Sequence, residues 1–140
     1  MHFPIDFLCA DKFAADAKTM LRNEKQGIEK GWLGLDIGPE TMKNNSAVIK
    51  RAKTIFWNGP QGAFEMEPFA KGSLSMIDDI IKATAEGATS VAGGGDTVAL
   101  LKKVKGASAK FSHVSTGGGA SLELVEGKQL PGVVALSDMK

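Results

Sequence analysis

Ser90-Val-Ala-Gly-Gly-Gly-Asp-Thr97 sets three consecutive glycines between a small, β-branched run and an apolar helical pattern. The segment is read as a buried strand, a tight turn and a helix N-terminus. Glycines without a Cβ let backbone N–H groups approach a ligand closely. A helix N-terminus adds unpaired donors and a partial positive charge, which suits phosphate. Asp96 is positioned either to face a phosphate-bound Mg²⁺ or to cap the helix, and Thr97 to offer its hydroxyl to a phosphate oxygen. The arrangement then recurs: Phe111-Ser-His-Val-Ser-Thr116 runs into Gly117-Gly-Gly-Ala-Ser121 and a second helical pattern. One such turn is commonly just a tight connection. Two in a short chain point to a ligand.

The rest of the chain predicts an α/β order. Phe3 to Ala10 reads as a buried strand and Asp11 to Gly27 as a loop with some strand character. Gly31 to Gly38 reads as a short strand and turn. Pro39 suits the first helical position, Glu40 the first turn, and Lys50, Arg51 and Lys53 the C-terminal end of a helix running to about Ala52. Thr54-Ile-Phe-Trp57 predicts a central strand that ends in the turn-rich Asn58-Gly-Pro-Gln-Gly62. Phe69, Ser73, Leu74, Ile77, Ile80, Ile81 and Thr84 recur at helical spacing from Pro68 to Gly87. Ser90 to Ala92 and Phe111 to Ser115 are predicted strands; Asp96 to Val104 and Ala120 to Glu126 are predicted helices. Leu130 to Leu136 is apolar around a Pro-Gly turn, and the end is polar. Alternation of this kind predicts a three-layer, Rossmann-like fold, a parallel sheet with helices on both faces. Ligands of such sheets sit outside the strands' carboxyl ends, where Gly59 to Gly62, Gly93 to Gly95 and Gly117 to Gly119 all fall. Trp32, Trp57 and His113 are expected in packing roles and Cys9 as a buried, inert thiol.

Composition narrows the partners. With 140 residues and 43% apolar content the chain suffices for one modest domain. A net charge of +1 gives no electrostatic case for nucleic acid or membrane binding. A single cysteine excludes an internal disulfide framework and makes a reducing compartment, the cytoplasm or an organelle such as a plastid or glycosome, the expected one. No run has the length of a membrane span. The N-terminus lacks a secretory pattern and looks more like the middle of a strand than a domain's natural start. The P-loop and Rossmann fingerprints are absent, as is any metal-ligand spacing among His2, Cys9 and His113.

The longer runs are more specific. Trp57-Asn-Gly-Pro-Gln-Gly-Ala-Phe-Glu65, Gly93-Gly-Gly-Asp-Thr97 and Ser112-His-Val-Ser-Thr-Gly-Gly-Gly-Ala-Ser-Leu-Glu-Leu124 resemble phosphoglycerate kinase. So do Pro4-Ile-Asp-Phe-Leu-Cys-Ala-Asp-Lys-Phe13, Gly31-Trp-Leu-Gly-Leu-Asp-Ile-Gly-Pro-Glu40 and Glu126-Gly-Lys-Gln-Leu-Pro-Gly132. The resemblance runs in order over essentially all of residues 1–140. It implies the last part of the C-terminal, nucleotide-binding domain of a longer two-domain kinase, the parent being a monomer. It implies a role for each matched position. Gly34 and Leu35, with Pro60 and Ala63, resemble the adenine pocket; Ala63 is smaller than the family's usual valine and is expected to loosen it. Glu65 resembles the carboxylate that holds the ribose hydroxyls, and Asn58 a residue near the triphosphate. Gly94, Gly95, Asp96 and Thr97 resemble the phosphate and Mg²⁺ segment. Gly117, Gly118 and Gly119 resemble the helix N-terminus that meets the transferring phosphoryl group.

The implied reaction passes a phosphoryl group between ATP and the carboxylate of 3-phosphoglycerate. Its acceptor is already ionised, so no general base is required, and positioning and charge stabilisation carry the chemistry. The family's charge-stabilising arginine and lysine, and its 3-phosphoglycerate domain, have no counterpart in these residues, so no turnover is expected from this chain alone. Three functional expectations follow: the Mg²⁺–nucleotide (ATP/ADP) side of the kinase, a free-standing nucleotide-binding module, or a non-binding structural remnant with exposed apolar faces. Glu65, Asp96 and Thr97 together favour the first two.

Overall fold

Two small sheets and five helices make up the computed structural model, which describes residues 1–137; the polar end at 138–140 lies outside the described residues. The first sheet is antiparallel, in the order β2-β1-β3, from β1 (Asp6–Ala10), β2 (Thr19–Asn23) and β3 (Leu33–Ile37). The expected parallel array therefore does not extend to the N-terminal strands. A parallel crossover takes a dozen or more residues, usually a helix. The link at residues 11–18 is shorter, polar and carries no helix, so β2 returns antiparallel beside β1; the helix-free link at 24–32 then carries the chain across to the other side of β1, where β3 also pairs antiparallel with it. β2 falls inside the stretch expected to be mostly loop.

α1 (Pro39–Arg51) leads from this sheet to the second. There the prediction holds: β4 (Thr54–Asn58), β5 (Thr89–Gly93) and β6 (His113–Ser115) are parallel neighbours in chain order. α2 (Lys71–Ala85), preceded by a single 3-10 turn at Glu67–Phe69, and α3 (Gly95–Lys103) make the crossovers and flank the sheet. α4 (Gly118–Val125) and the one-turn α5 (Pro131–Val134) follow. Among the described residues no helix is long and apolar enough to cross a membrane.

The core joins Ile49 of α1, Trp57, Ile77, Ile80 and Ala83 of α2, Ala92, Leu100 and Leu101 of α3, and Phe111. The rings of Trp57 and Phe111 stack with centroids 6.2 Å apart, so Trp57 packs as expected. A second cluster sets Ala10 and Leu35 against Phe69. Cys9 is buried, and that burial pushes its thiol pKa up, consistent with an inert side chain. Leu74, placed on the core stripe by periodicity, is exposed. His113 is exposed too, not a core histidine, because β6 is only three residues long and pairs on one side. α4 and α5 bury no residue, and Leu124, Val125, Val133, Val134 and Leu136 are open to solvent.

Two buried carboxylates join the layers. Asp6, on β1, accepts hydrogen bonds from Glu40 N (2.9 Å), Thr41 N (2.8 Å) and Thr41 Oγ1 (2.5 Å), capping α1 from across the fold. Burial alone raises its pKa, but these donors outweigh it and hold the carboxyl below its ordinary value. Asp36, on β3, accepts from Gly72 N at 2.8 Å and caps α2 in the same way. Here burial prevails over the bonds from Gly72 and Ile37 and pushes the pKa up.

Candidate functional site

The parallel order of β4, β5 and β6 brings their carboxyl ends to one edge, and all three glycine turns follow those ends. Backbone bonds and close packing then lock the turns together. Gly94 N donates to Ser115 O at 3.1 Å, and Gly59 N donates to Thr97 Oγ1 at 2.9 Å. A Cβ on Gly118 would lie 2.7 Å from Gly94 Cα and 3.5 Å from Asn58 Oδ1. Gly94 itself has φ +95°, and a Cβ there would lie 2.5 Å from Asn58 Oδ1. Only glycine permits this approach of two backbones around one amide side chain. Asn58, Gly94, Thr97 and Gly118 thus form a single contact group, drawn from segments 24 to 60 positions apart in the numbering.

The helix ends differ in kind. α1 and α2 have their N-termini satisfied by Asp6 and Asp36. α3 and α4 open at the glycine edge with no side-chain cap. Among the described residues no side chain accepts from the N–H groups of Gly95, Asp96 and Thr97, or from those of Gly119 and Ala120. Two uncapped helix N-termini on one edge aim donors and positive dipole ends at the space in front of them. Within the third turn the donors of Gly117 and Gly118 are already engaged, by Ser115 Oγ (3.2 Å) and Thr116 O (3.1 Å). Its open donors are therefore Gly119 and Ala120. Ala120 was not singled out from sequence; its place two residues inside a helix start is the signal that could have found it.

Asp96 is exposed at the start of α3 and accepts no hydrogen bond among the described residues, so it does not cap the helix. Thr97 is fully buried, its hydroxyl already receiving the Gly59 N–H. That places Thr97 as a brace between two turns. No group of three or more His, Cys, Asp or Glu side chains capable of holding a metal occurs among the described residues. A single exposed carboxylate at this edge still fits Mg²⁺, which is usually held by one or two carboxylates together with the phosphate oxygens of a ligand.

The segment after β4 carries the remaining candidates. Gln61 is pinned by the buried Ser73 hydroxyl, which accepts from Gln61 N and donates to Gln61 O, both at 2.7 Å. Ala63 N donates to Leu35 O at 2.8 Å, bringing the Leu35 strand and the 59–65 turn together. Leu35 is buried, Pro60 and Ala63 are half-buried, and Gly34 and Glu65 are exposed. Glu65 makes no hydrogen bond among the described residues. A groove of about 260 Å³ between α1 and α2, lined by Ser46, Lys50, Asp79, Lys82, Ala83 and Glu86, lies away from this edge. Its two lysines share it with two acids, so it offers no anion site.

Comparison with known proteins bears on the family and the fold. The model of the family described as phosphoglycerate kinase matches residues 1–128. The phosphoglycerate kinase of Sterkiella nova is 72% identical over 139 residues, which is 99% of this chain and 33% of that protein. That of Schistosoma mansoni is 59% identical over 138 residues, again 99% of this chain and 33% of the relative. Among solved structures, phosphoglycerate kinase from Coxiella burnetii superposes with a TM-score of 0.85 at 38% identity, covering 95% of this chain and 33% of its own. The Pyrococcus horikoshii enzyme gives 0.79 at 32% identity, covering 95% and 31%. The chain spans about a third of the length of the curated relatives it matches.

Proposed function

The chain belongs to the phosphoglycerate kinase family, and from that premise we propose that residues 1–140 supply the Mg²⁺–nucleotide side of phosphoryl transfer between ATP and the carboxylate of 3-phosphoglycerate. The carrying observation is the pair of uncapped helix N-termini meeting at the Gly94–Gly118 contact, in a fold whose other two long helices are capped by carboxylates. The adenine ring lies against Gly34, Leu35, Pro60 and Ala63. Glu65, free of internal bonds, accepts hydrogen bonds from the ribose hydroxyls. The N–H groups of Gly95 and Asp96 donate to phosphate oxygens at one helix end, while the buried Thr97 holds the Gly59 turn against it. Those of Gly119 and Ala120, with Asn58 beside them, face the transferring phosphoryl group at the other. Mg²⁺, when bound, neutralises charge on the phosphate oxygens, and Asp96 is the residue that would hold it.

No side chain here is assigned a proton transfer. A 3-phosphoglycerate carboxylate is ionised at neutral pH and attacks without a base. What the transition state needs is donors fixed in advance where charge collects on the equatorial oxygens. The two helix starts supply that without reorganising, because the glycine contact holds them. The 3-phosphoglycerate site and the further cationic groups are contributed by other parts of a full-length, monomeric, cytoplasmic enzyme. This chain alone is then a binding half-site without turnover.

Titration calorimetry of the 140-residue chain with Mg²⁺–ADP tests the proposal. Saturable binding is expected, weakened about ten-fold or more in Asp96→Ala, the range for loss of a charged hydrogen-bonding group, and weakened also when EDTA removes the metal. A chain that is folded by circular dichroism yet takes up no Mg²⁺–ADP overturns it.

A further inference from the structure

We propose that Lys103 is a positioning residue for the nucleoside end of this site, holding the Glu65 segment in place through the ring face of Phe64. The inference rests on the nucleotide assignment above in giving Glu65 to the ribose. Lys103 lies at the C-terminal end of α3, and its Nζ sits over the Phe64 ring at 5.4 Å from the centroid. That distance is within the range of a cation–π attraction. Phe64 is half-buried and packs against the main core, so its ring is held by the core while the Lys103 ammonium stands over it. Glu65 is the next residue, exposed and unbonded.

The rest of the segment explains why this contact matters. Gly59 is tied to Thr97, Gln61 to Ser73, and Ala63 to Leu35 O. Beyond Ala63 the only backbone tie among the described residues before the following 3-10 turn is Met66 N to Ala63 O at 3.0 Å, and the Met66 side chain packs against the cluster of Ala10, Leu35 and Phe69. Glu65 thus stands between two side-chain anchors, the Phe64 ring on the main core and Met66 on the second cluster, and Lys103 bears on the first of them. α3 holds the segment at both of its own ends, through Thr97 in its first turn and Lys103 in its last. The helix whose N-terminus faces the phosphates thereby also sets where the ribose acid stands.

Two measurements test this on the full chain. The first needs no ligand: amide hydrogen exchange at Ala63 and Met66, both hydrogen-bonded, is expected to rise about three-fold in Lys103→Met, the size of an exposed cation–π contact. Lys103→Arg, which keeps the cation over the ring, should restore the native rate. The second is calorimetry. Mg²⁺–ADP should bind about three-fold more weakly to Lys103→Met, while Mg²⁺–pyrophosphate, which has no ribose, should bind both proteins alike. Phe64→Leu should show the same loss, and adding Lys103→Met to it should cost nothing more. Unchanged exchange at Ala63 and Met66 overturns the inference whether or not nucleotide binds. An equal loss for ADP and pyrophosphate also overturns it, since that is the signature of general charge attraction. Failure of the wild-type chain to bind Mg²⁺–ADP is a separate outcome that counts against the nucleotide assignment, and with it against the ribose role of Glu65.

Discussion

Gly118→Val is expected to abolish measurable Mg²⁺–ADP binding, a loss of about 100-fold or more of the kind that follows a displacement near 1 Å in a preorganised site. The cause is steric and specific. A Cβ at position 118 stands 2.7 Å from Gly94 Cα, closer than any relaxed structure allows, and the obstacle is backbone. A flexible side chain could turn away; Gly94 cannot move without shifting the N-terminus of α3 and the Asn58 amide beside it. Relief therefore separates the two helix ends that are proposed to share the phosphates. Overpacking at such a contact also destabilises by about 1–3 kcal/mol. Gly132→Ala, where a Cβ meets nothing within 4 Å, is the matched control and should bind as wild type. Paired calorimetry and thermal melts check both effects. Near-native affinity in a folded Gly118→Val protein would mean that the two helix ends need not be in contact to bind.

Asp6→Ala is expected to destabilise the chain by about 3 kcal/mol, near the upper end of ordinary single substitutions. The side chain is 9% exposed, and its removal leaves Glu40 N and Thr41 N without their acceptor at the start of α1, while the Thr41 hydroxyl keeps only the Asp6 carbonyl oxygen at 3.2 Å. The same group predicts a pH dependence. Its folded pKa is below the unfolded one, so its stabilisation is complete above the ordinary carboxylate value and is lost as pH falls through the folded value. Asp36 acts in the opposite sense. Its folded pKa is raised, so its contribution is fullest below the ordinary value and declines as pH rises through the folded one. In urea denaturation, the stability gap between wild type and Asp6→Asn should be widest near neutrality and should close on acidification below about pH 4. The gap between wild type and Asp36→Asn should move the other way. Parallel pH profiles for wild type and Asp6→Asn would show that the Asp6 hydrogen bonds carry no net charge dependence.

Much of the fold was legible because its signals are local. Pro39 and Glu40 marked the start of α1, and Ile77 and Ile80 recurred at the spacing that buries them on α2. Runs of glycine after β-branched strands marked each turn at the edge. β2 was not legible as a firm strand: its residues alternate between exposed and half-buried, so no apolar face distinguishes it from a polar loop until β1 pairs with it. The pattern of α4 announced a helix but not whether it would be covered, and α5 forms where the Pro-Gly pair was expected to make only a turn; in this structure both are bare. His113 misled because an apolar neighbourhood in sequence is not burial when the strand lies at an edge.

By itself, the sequence determined where most strands, helices and turns fall, and the family. Those properties depend on residues within a few positions of one another, or on runs specific enough to be identified without geometry. Tertiary structure alone decided the antiparallel N-terminal sheet, the capping of α1 by Asp6 and of α2 by Asp36, and the brace from Thr97 to Gly59. It also decided that Ala120 has an open donor while Gly117 does not. Each of these is a contact between groups distant in the chain, or the absence of one. Such contacts depend on which backbones can approach, and at Gly94 and Gly118 that is settled by the room left when neither carries a Cβ.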